Sequence, residues 1–187
     1  MVSLTREDGS KVYESAKIKE EAISFFQEVL NGRSSSPYPG KAYLKQFVNK
    51  GILRSQFDLL AAPVTSIEVK EALFSIQPNK ASGSDGFNAL FFRRTWHILG
   101  EDLSRAIQSF FYSGHMLREL NHASISLVPN VPNPSNLSDY RPISCCKTIY
   151  KCLSKILANR LKRVLPSLID DAQSVLFRVE VLLTIFC

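Results

Sequence analysis

Hydrophobic side chains recur at helical spacing in several parts of the chain, and turn-forming residues separate these stretches. The first stretch runs from Tyr13 to Leu30, where apolar positions three and four residues apart form one stripe along a helix. Asn31 and Gly32 follow, and they predict the end of that helix, because glycine accepts the left-handed backbone common after a last turn. A short helix is also predicted from Tyr43 to Ile52.

The middle of the chain predicts three more helices. Thr65 and Glu68 have the spacing of a capping box, in which each side chain satisfies a free backbone N–H at the start of a helix. We expect this helix to last until Pro78, and residues 79–86 to form a turn rich in Gly and Ser. The next two helices are predicted over Asn88 to Leu99, ended by Gly100, and over Glu101 to Tyr112, ended by Gly114.

The last part of the chain adds strands to this helical pattern. Ser124 to Val128 predicts a strand, and the Pro-rich connector Pro129 to Pro134 should lead into a second strand that ends near Ile143. Lys147 to Leu165 has the most regular helical pattern in the chain, and we expect Pro166 to close that helix. The fold class predicted is therefore α+β and dominated by helices.

Charge changes this picture because it is concentrated in one region. The chain of 187 residues is 45% hydrophobic, enough for a buried core, and its net charge is +6. Seven basic residues and no acidic one lie in the interval 141–163, namely Arg141, Lys147, Lys151, Lys155, Arg160, Lys162 and Arg163. This local excess is larger than the net charge of the whole chain. It indicates an acidic partner, with nucleic acid the commonest candidate.

The predicted helix Lys147 to Leu165 places its charges on one side. Four lysines (Lys147, Lys151, Lys155 and Lys162) fall within about 80° of arc, opposite an apolar face. We predict that these lysines and Arg163 contact a phosphate backbone, the alternative being an ordinary solvated face. Arg160 falls on the apolar side, where a charge is expensive unless it is paired. It is therefore predicted to be structural and bonded to carbonyls or snorkelling.

Five segments form a recognisable series: KASGSDGF at 80–87, FFRRTW at 91–96, LVPN at 127–130, YRPIS at 140–144 and ANRLK at 158–162. Together they resemble the fingers region of reverse transcriptases from plant non-LTR (LINE-type) retrotransposons. The resemblance extends from Val12 to Ser174 and is dense only from Pro78 onward.

The resemblance implies part of the fingers region of a right-hand polymerase, preceded by a helical extension. The corresponding segments are a helical extension over residues 1–77, the partial fingers region over 78–174, and a divergent tail over 175–187. The metal-binding aspartates of such polymerases belong to a palm that follows these motifs. We therefore expect a truncated RNA-directed DNA polymerase fragment that is inactive alone and depends on a palm from a longer parent polypeptide.

The resemblance also assigns one nucleotide-binding residue, Arg141, which in this family lies on the fingers hairpin and meets the triphosphate of the incoming nucleotide. The family has a lysine where this chain has Asn130, a change that weakens such a site. An ion pair between Arg141 and Asp139 is the alternative role. Asp170 and Asp171 are interpreted as a helix start after a proline, so no catalytic residue and no metal ligand is assigned. No cofactor is expected in this chain, although the family's polymerases use Mg²⁺.

RNA or an RNA–DNA duplex is the expected partner, held through the basic helix face. A non-catalytic nucleic-acid-binding or interaction module, or a decayed open reading frame without a selected function, remain alternatives. The four cysteines have no metal-ligand spacing. The N-terminus carries no signal-peptide pattern, and no apolar stretch is long enough to span a bilayer. These features predict an intracellular protein, nuclear or cytoplasmic, with no membrane contact.

Overall fold

The computed structural model describes residues 3–6, 8–32 and 51–168. Over these ranges the fold is α+β and helix-dominated, with two small antiparallel sheets, which confirms the predicted class. The chain divides into two compact units. One comprises Met1–Leu44 and Ile125–Ile143, and the other comprises Lys45–Ser124 and Ser144–Cys187. The helical extension, partial fingers region and tail, with predicted bounds at 77/78 and 174/175, were drawn from family motifs and do not correspond to these two compact units. They stay a prediction.

The first unit combines a helix with short strands. Its elements are β1 (Leu4–Thr5), β2 (Lys11–Val12), helix α1 (Ser15–Asn31) and most of the hairpin made by β3 (Ser124–Pro129) and β4 (Tyr140–Cys145), with a 3-10 turn at Leu137–Asp139. In the β1–β2 pair Leu4 lies opposite Val12, and both are buried with Ile18 in a small core against Leu137. The predicted strand pair within 124–143 is confirmed, and Asn130 N–H donates to the Asp139 carbonyl at 2.8 Å. The β1–β2 pair was not predicted.

The second unit is built from helices. They are α2 (Arg54–Ala61), α3 (Ser66–Ser75), α4 (Ala89–Arg94), α5 (Trp96–Ser113) and α6 (Thr148–Leu168). Helix α3 contacts α4, α5 and α6, and its Val69 and Leu73 are fully buried together with Ile107 and Ile156. Among the helices in the described ranges, none is long and apolar enough to cross a membrane.

Three glycines were predicted to end helices, and the structure gives two of them, Gly32 and Gly100, a different role from the predicted one. Gly114 ends α5 with a left-handed φ of +68°, and its N–H donates to the Phe110 carbonyl at 2.8 Å. Gly32 follows α1 as predicted, but its φ is −44°, so it does not use the left-handed conformation. The prediction that Gly100 separates two helices is wrong, because Gly100 lies inside α5. A Cβ there would approach the Trp96 ring to 2.7 Å, so the glycine serves close packing, and the helix break lies at Thr95.

Two further helix predictions need correction. Pro166 does not close α6, which continues to Leu168. Because Pro166 lies close to the end of the helix, its missing N–H removes only one hydrogen bond. In the same turn, Ser167 Oγ donates to the Val164 carbonyl at 2.7 Å. The predicted helix from Tyr43 lies outside the described residues except for Gly51 and Ile52, which are not helical. Helix α2 begins just afterwards and was not predicted.

Candidate nucleic-acid interface

The start of α6 is covered by other parts of the second unit. Lys151 is only 3% exposed, and its Nζ donates to the Ala81 carbonyl at 2.6 Å. Lys147 is half-buried, and its Nζ donates to the Glu119 carbonyl at 2.6 Å. The predicted placement of Lys151 on a solvent-facing ridge is therefore wrong. The pattern of one helix cannot reveal which neighbouring loop covers its polar side, and here that loop contains residues 79–86.

The Gly-rich turn makes this close packing possible. A Cβ at Gly83 would lie 2.6 Å from Lys147 N and 2.7 Å from Lys147 Cα, so only glycine fits there. Gly86 has a φ of +77°, a conformation that favours glycine. Thr148 Oγ1, at the first residue of α6, donates to the Phe87 carbonyl at 2.8 Å. The turn of the KASGSDGF segment is thus fixed against the start of α6 by backbone contact and by two side-chain hydrogen bonds, from Lys151 to Ala81 and from Thr148 to Phe87.

The part of α6 from Lys155 onward presents free cations. Lys162 and Arg163 are exposed and Lys155 is half-buried. The structure gives none of the three a hydrogen bond or ion pair within the described ranges. Lys155 and Lys162 are seven residues apart, so they share one face at about 10 Å along the axis. From Arg141 to Leu168 the sequence has no acidic residue, so no carboxylate on α6 neutralises these cations.

Arg160 has the structural role predicted for it. Its Nε and Nη2 donate to the two carboxylate oxygens of Glu68, both at 2.8 Å, and its Nη1 donates to the carbonyls of Leu60 and Ala62 at 3.0 and 2.7 Å. The hydrogen bonds to Glu68 raise the pKa of Arg160 above its ordinary value. Thr65 Oγ1 accepts from the Glu68 N–H at 3.2 Å, which confirms one half of the predicted capping box. The other half is wrong, because the Glu68 carboxylate accepts from Arg160 and not from the Thr65 N–H. The Glu68 carboxylate joins α6 to α3.

Arg141 is exposed on β4, in the first unit, and has no hydrogen bond or ion pair to any residue that the structure describes. The alternative role, an ion pair with Asp139, is wrong. The Asp139 carboxylate accepts instead from the backbone N–H groups of Ser135 and Asn136 at 3.0 and 2.9 Å. These hydrogen bonds hold the pKa of Asp139 below its ordinary value. The nucleotide-binding role of Arg141 stays a prediction.

Structure adds one group of residues that the sequence did not single out. Ser84, Arg118, Glu119, His122 and Lys147 line an open cleft of about 430 Å³, which we call the Arg118 cleft. No motif marks residues 118–122, so no sequence signal identified them. Their relation to Lys147 exists only because the segment between α5 and β3 runs beside the start of α6.

Over residues 3–6, 8–32 and 51–168, no three His, Cys, Asp or Glu side chains group closely enough to hold a metal ion. Asp170 and Asp171, as well as the divergent tail, lie outside the described residues. Cys152 is fully buried, and burial raises the pKa of its thiol to about 12.

The chain is similar to proteins of mobile elements. It is 29% identical over 171 residues to the uncharacterized 149 kDa protein of transposon TX1 from Xenopus laevis, a match covering 91% of this chain and 13% of that protein. It is also 26% identical over 114 residues to the retrovirus-related Pol polyprotein from the type-1 retrotransposable element R2 of Bradysia coprophila. That match covers 60% of this chain and 12% of the polyprotein.

These similarities support a non-LTR retrotransposon origin. No protein-family model matches the chain. The chain spans about an eighth of the length of both relatives, at 13% and 12%. A plant source and an assignment to the fingers region alone stay predictions.

Proposed function

We propose that this chain is the fingers segment of an RNA-directed DNA polymerase from a non-LTR retrotransposon. In this proposal it holds the phosphate backbone of RNA or an RNA–DNA duplex through the part of α6 from Lys155 onward. Its similarity to retrotransposon proteins supports the polymerase ancestry. The order of the motifs along the chain supports the fingers assignment. The contact residues are Lys155, Lys162 and Arg163.

The observation that carries the proposal is the set of unpaired cations on α6. Exposed helix faces commonly interleave both signs of charge, because opposite charges one turn apart attract and like charges repel. Lys162 and Arg163 are exposed neighbours, and the sequence around them offers no carboxylate from 141 to 168. A polyanion relieves this repulsion, and each phosphate contact releases counterions from the nucleic acid. Such contacts position a backbone and do not read its sequence.

The other basic residues have different parts in this proposal. Lys147 fixes the loop at residue 119 against α6, and Lys151 fixes the loop at residue 81. Because Lys151 is buried, it does not touch the nucleic acid. Arg141 offers a planar fork of donors that suits the triphosphate of a nucleotide. The metal-binding carboxylates of polymerisation would come from a palm in a longer parent polypeptide, where Mg²⁺ would stabilise the charge of phosphoryl transfer.

The test measures binding of the full chain to a structured RNA hairpin by fluorescence anisotropy, at KCl concentrations from 50 to 200 mM. We expect the triple variant Lys155→Gln, Lys162→Gln and Arg163→Gln to bind more weakly than the original chain. Three lost phosphate contacts should lower the slope of log K against log salt by about 2 to 3, since each contact contributes roughly 0.7 to 0.9.

A matched control removes the same charge elsewhere. Lys11, Lys17 and Lys19 are exposed residues of the first unit, and the Lys→Gln triple variant there should leave the salt slope nearly unchanged. Circular dichroism checks that both variants remain folded. Equal losses in the two triple variants would mean that net charge alone drives binding. A folded original chain without RNA affinity would contradict the proposed function itself.

A further inference from the structure

The Arg118 cleft collects hydrogen-bond donors from three parts of the second unit. Ser84 comes from the Gly-rich turn, Arg118 and His122 from the segment before β3, and Lys147 from the residue before α6. Arg118 is exposed and has no hydrogen bond or ion pair with any residue that the structure describes. Its five N–H donors are therefore open to a ligand.

Lys147 gives this cleft a fixed cation. One of its three ammonium donors is committed to the Glu119 carbonyl at 2.6 Å, and two remain. The backbone around it is also held, because Gly83 contacts Lys147 directly and Thr148 bonds to Phe87. A ligand that meets an already ordered lysine loses less side-chain entropy on binding than it would with a freely moving one.

The charges in the cleft favour an anion. Arg118 and Lys147 are permanent cations, whereas Glu119 carries the one carboxylate among the five lining residues. The Ser84 hydroxyl and a ring N–H of His122 add further donors. Several donors converging beside two cations suit a phosphate group, whose oxygens accept charge-assisted hydrogen bonds. No lining side chain is apolar, so a hydrophobic ligand does not fit.

We propose that the Arg118 cleft binds a backbone phosphate of the nucleic acid held by α6, through Arg118, Lys147 and His122. This inference rests on the proposed function, since it assigns a second contact to the same RNA. It differs from the α6 surface in its residues and in its origin, because the cleft is assembled by loops. The two contacts would fix the direction of the backbone across the second unit, whereas either alone would leave it free to turn.

The test uses the full chain and the same RNA hairpin. The double variant Arg118→Gln and His122→Gln should lower RNA affinity about 10-fold, the effect of losing charge-assisted hydrogen bonds. Its salt slope should fall by about 1, for one phosphate contact. Combined with the α6 triple variant, the two changes in slope should add. The matched control is Arg94→Gln and His97→Gln, an exposed Arg–His pair on α4 and α5, which should have little effect.

The outcomes separate this inference from the proposed function. If the α6 triple variant weakens binding and the Arg118 double variant does not, the cleft assignment is wrong and the α6 interface stands. Equal losses in the Arg118 and Arg94 double variants would also overturn it. A loss in the Arg118 variant alone would support the cleft and contradict the α6 interface.

A second readout covers the case in which the folded chain binds no RNA. The proton NMR signals of the His122 ring are followed during titration with inorganic phosphate. A saturable shift that disappears in Arg118→Gln supports a phosphate site in the cleft. The absence of any shift overturns it.

Discussion

Replacing Arg160 by alanine should destabilise the second unit more than any substitution of an exposed basic residue on α6. Arg160 is 6% exposed and makes four hydrogen bonds, two to the Glu68 carboxylate and two to the carbonyls of Leu60 and Ala62. Its guanidinium carbon also lies 5.6 Å from the centre of the Phe111 ring. The side chain thus connects α6 with the end of α2, the start of α3 and the face of α5.

The loss of stability in Arg160→Ala depends on whether water can replace the guanidinium at each of its hydrogen-bond partners. Removing one partner of a buried ion pair costs about 3–5 kcal/mol, since the other charge is left buried. The Glu68 side chain retains 28% exposure, so water can partly replace the guanidinium. Leu60 and Ala62 are also not buried, so their carbonyls can be hydrated. We therefore expect the lower end of the range, about 3 kcal/mol.

The assay is urea unfolding of the full chain followed by circular dichroism at 222 nm. With a slope of about 2 kcal/mol per molar urea, the midpoint should fall by about 1.5 M in Arg160→Ala. Arg160→Lys should recover only part of this, because an ammonium cannot reproduce the planar fork of donors. The control, Arg163→Ala, should stay within about 0.5 kcal/mol. A loss below about 1 kcal/mol in Arg160→Ala would refute the view that this ion pair connects the helices.

Two further predictions concern titrating groups. Cys152 is fully buried, and burial raises the pKa of its thiol to about 12. At pH 8 it should therefore resist a thiol-specific disulfide reagent until urea unfolds the chain. Fast labelling of Cys152 in the native state, mapped by mass spectrometry, would contradict this. Its contribution to stability is present below the ordinary thiol pKa of about 8.5 and is lost as pH rises toward the folded value. The Asp139 carboxylate, held by two backbone N–H groups, should titrate by NMR below the ordinary value of about 3.9, so its contribution is present above that pH and is lost in more acidic solution. A midpoint at or above the ordinary value would show that these hydrogen bonds do not persist in solution.

The two glycines in and after α5 show how far local sequence could be interpreted. Gly100 and Gly114 both follow stretches of helical periodicity, and both were predicted to end a helix. Gly114 does so with a positive φ, whereas Gly100 lies within the helix under the Trp96 ring. The two functions of glycine, a permissive backbone and the absence of a Cβ, are indistinguishable in the sequence alone. Only the position of the Trp96 side chain decides between them.

In the candidate site, too, the sequence predicted some residue roles correctly and could not predict others. The pattern of α6 correctly predicted that Arg160 is structural, because an arginine on an apolar stripe needs a partner inside the fold. It could not name Glu68, which is 92 residues away. The same pattern placed Lys151 with the exposed lysines, although the Ala81 carbonyl holds it in the interior. The Arg118 cleft could not be predicted at all, since its residues come from three separate segments.

The sequence by itself determined most of the helices, the hairpin within 124–143 and the concentration of positive charge between Arg141 and Arg163. These features depend on the order and type of residues that are close in sequence, and that order is the same whatever fold the chain adopts. Only the tertiary structure decided which of those charges reach solvent. Burial depends on the loops that pack over a helix, and the loops around residues 81 and 119 are joined to α6 through contacts distant in sequence. They cover Lys151 and part of Lys147 and leave Lys162 and Arg163 exposed, because packing removes solvent from the charged side of the helix at its start and not near its end.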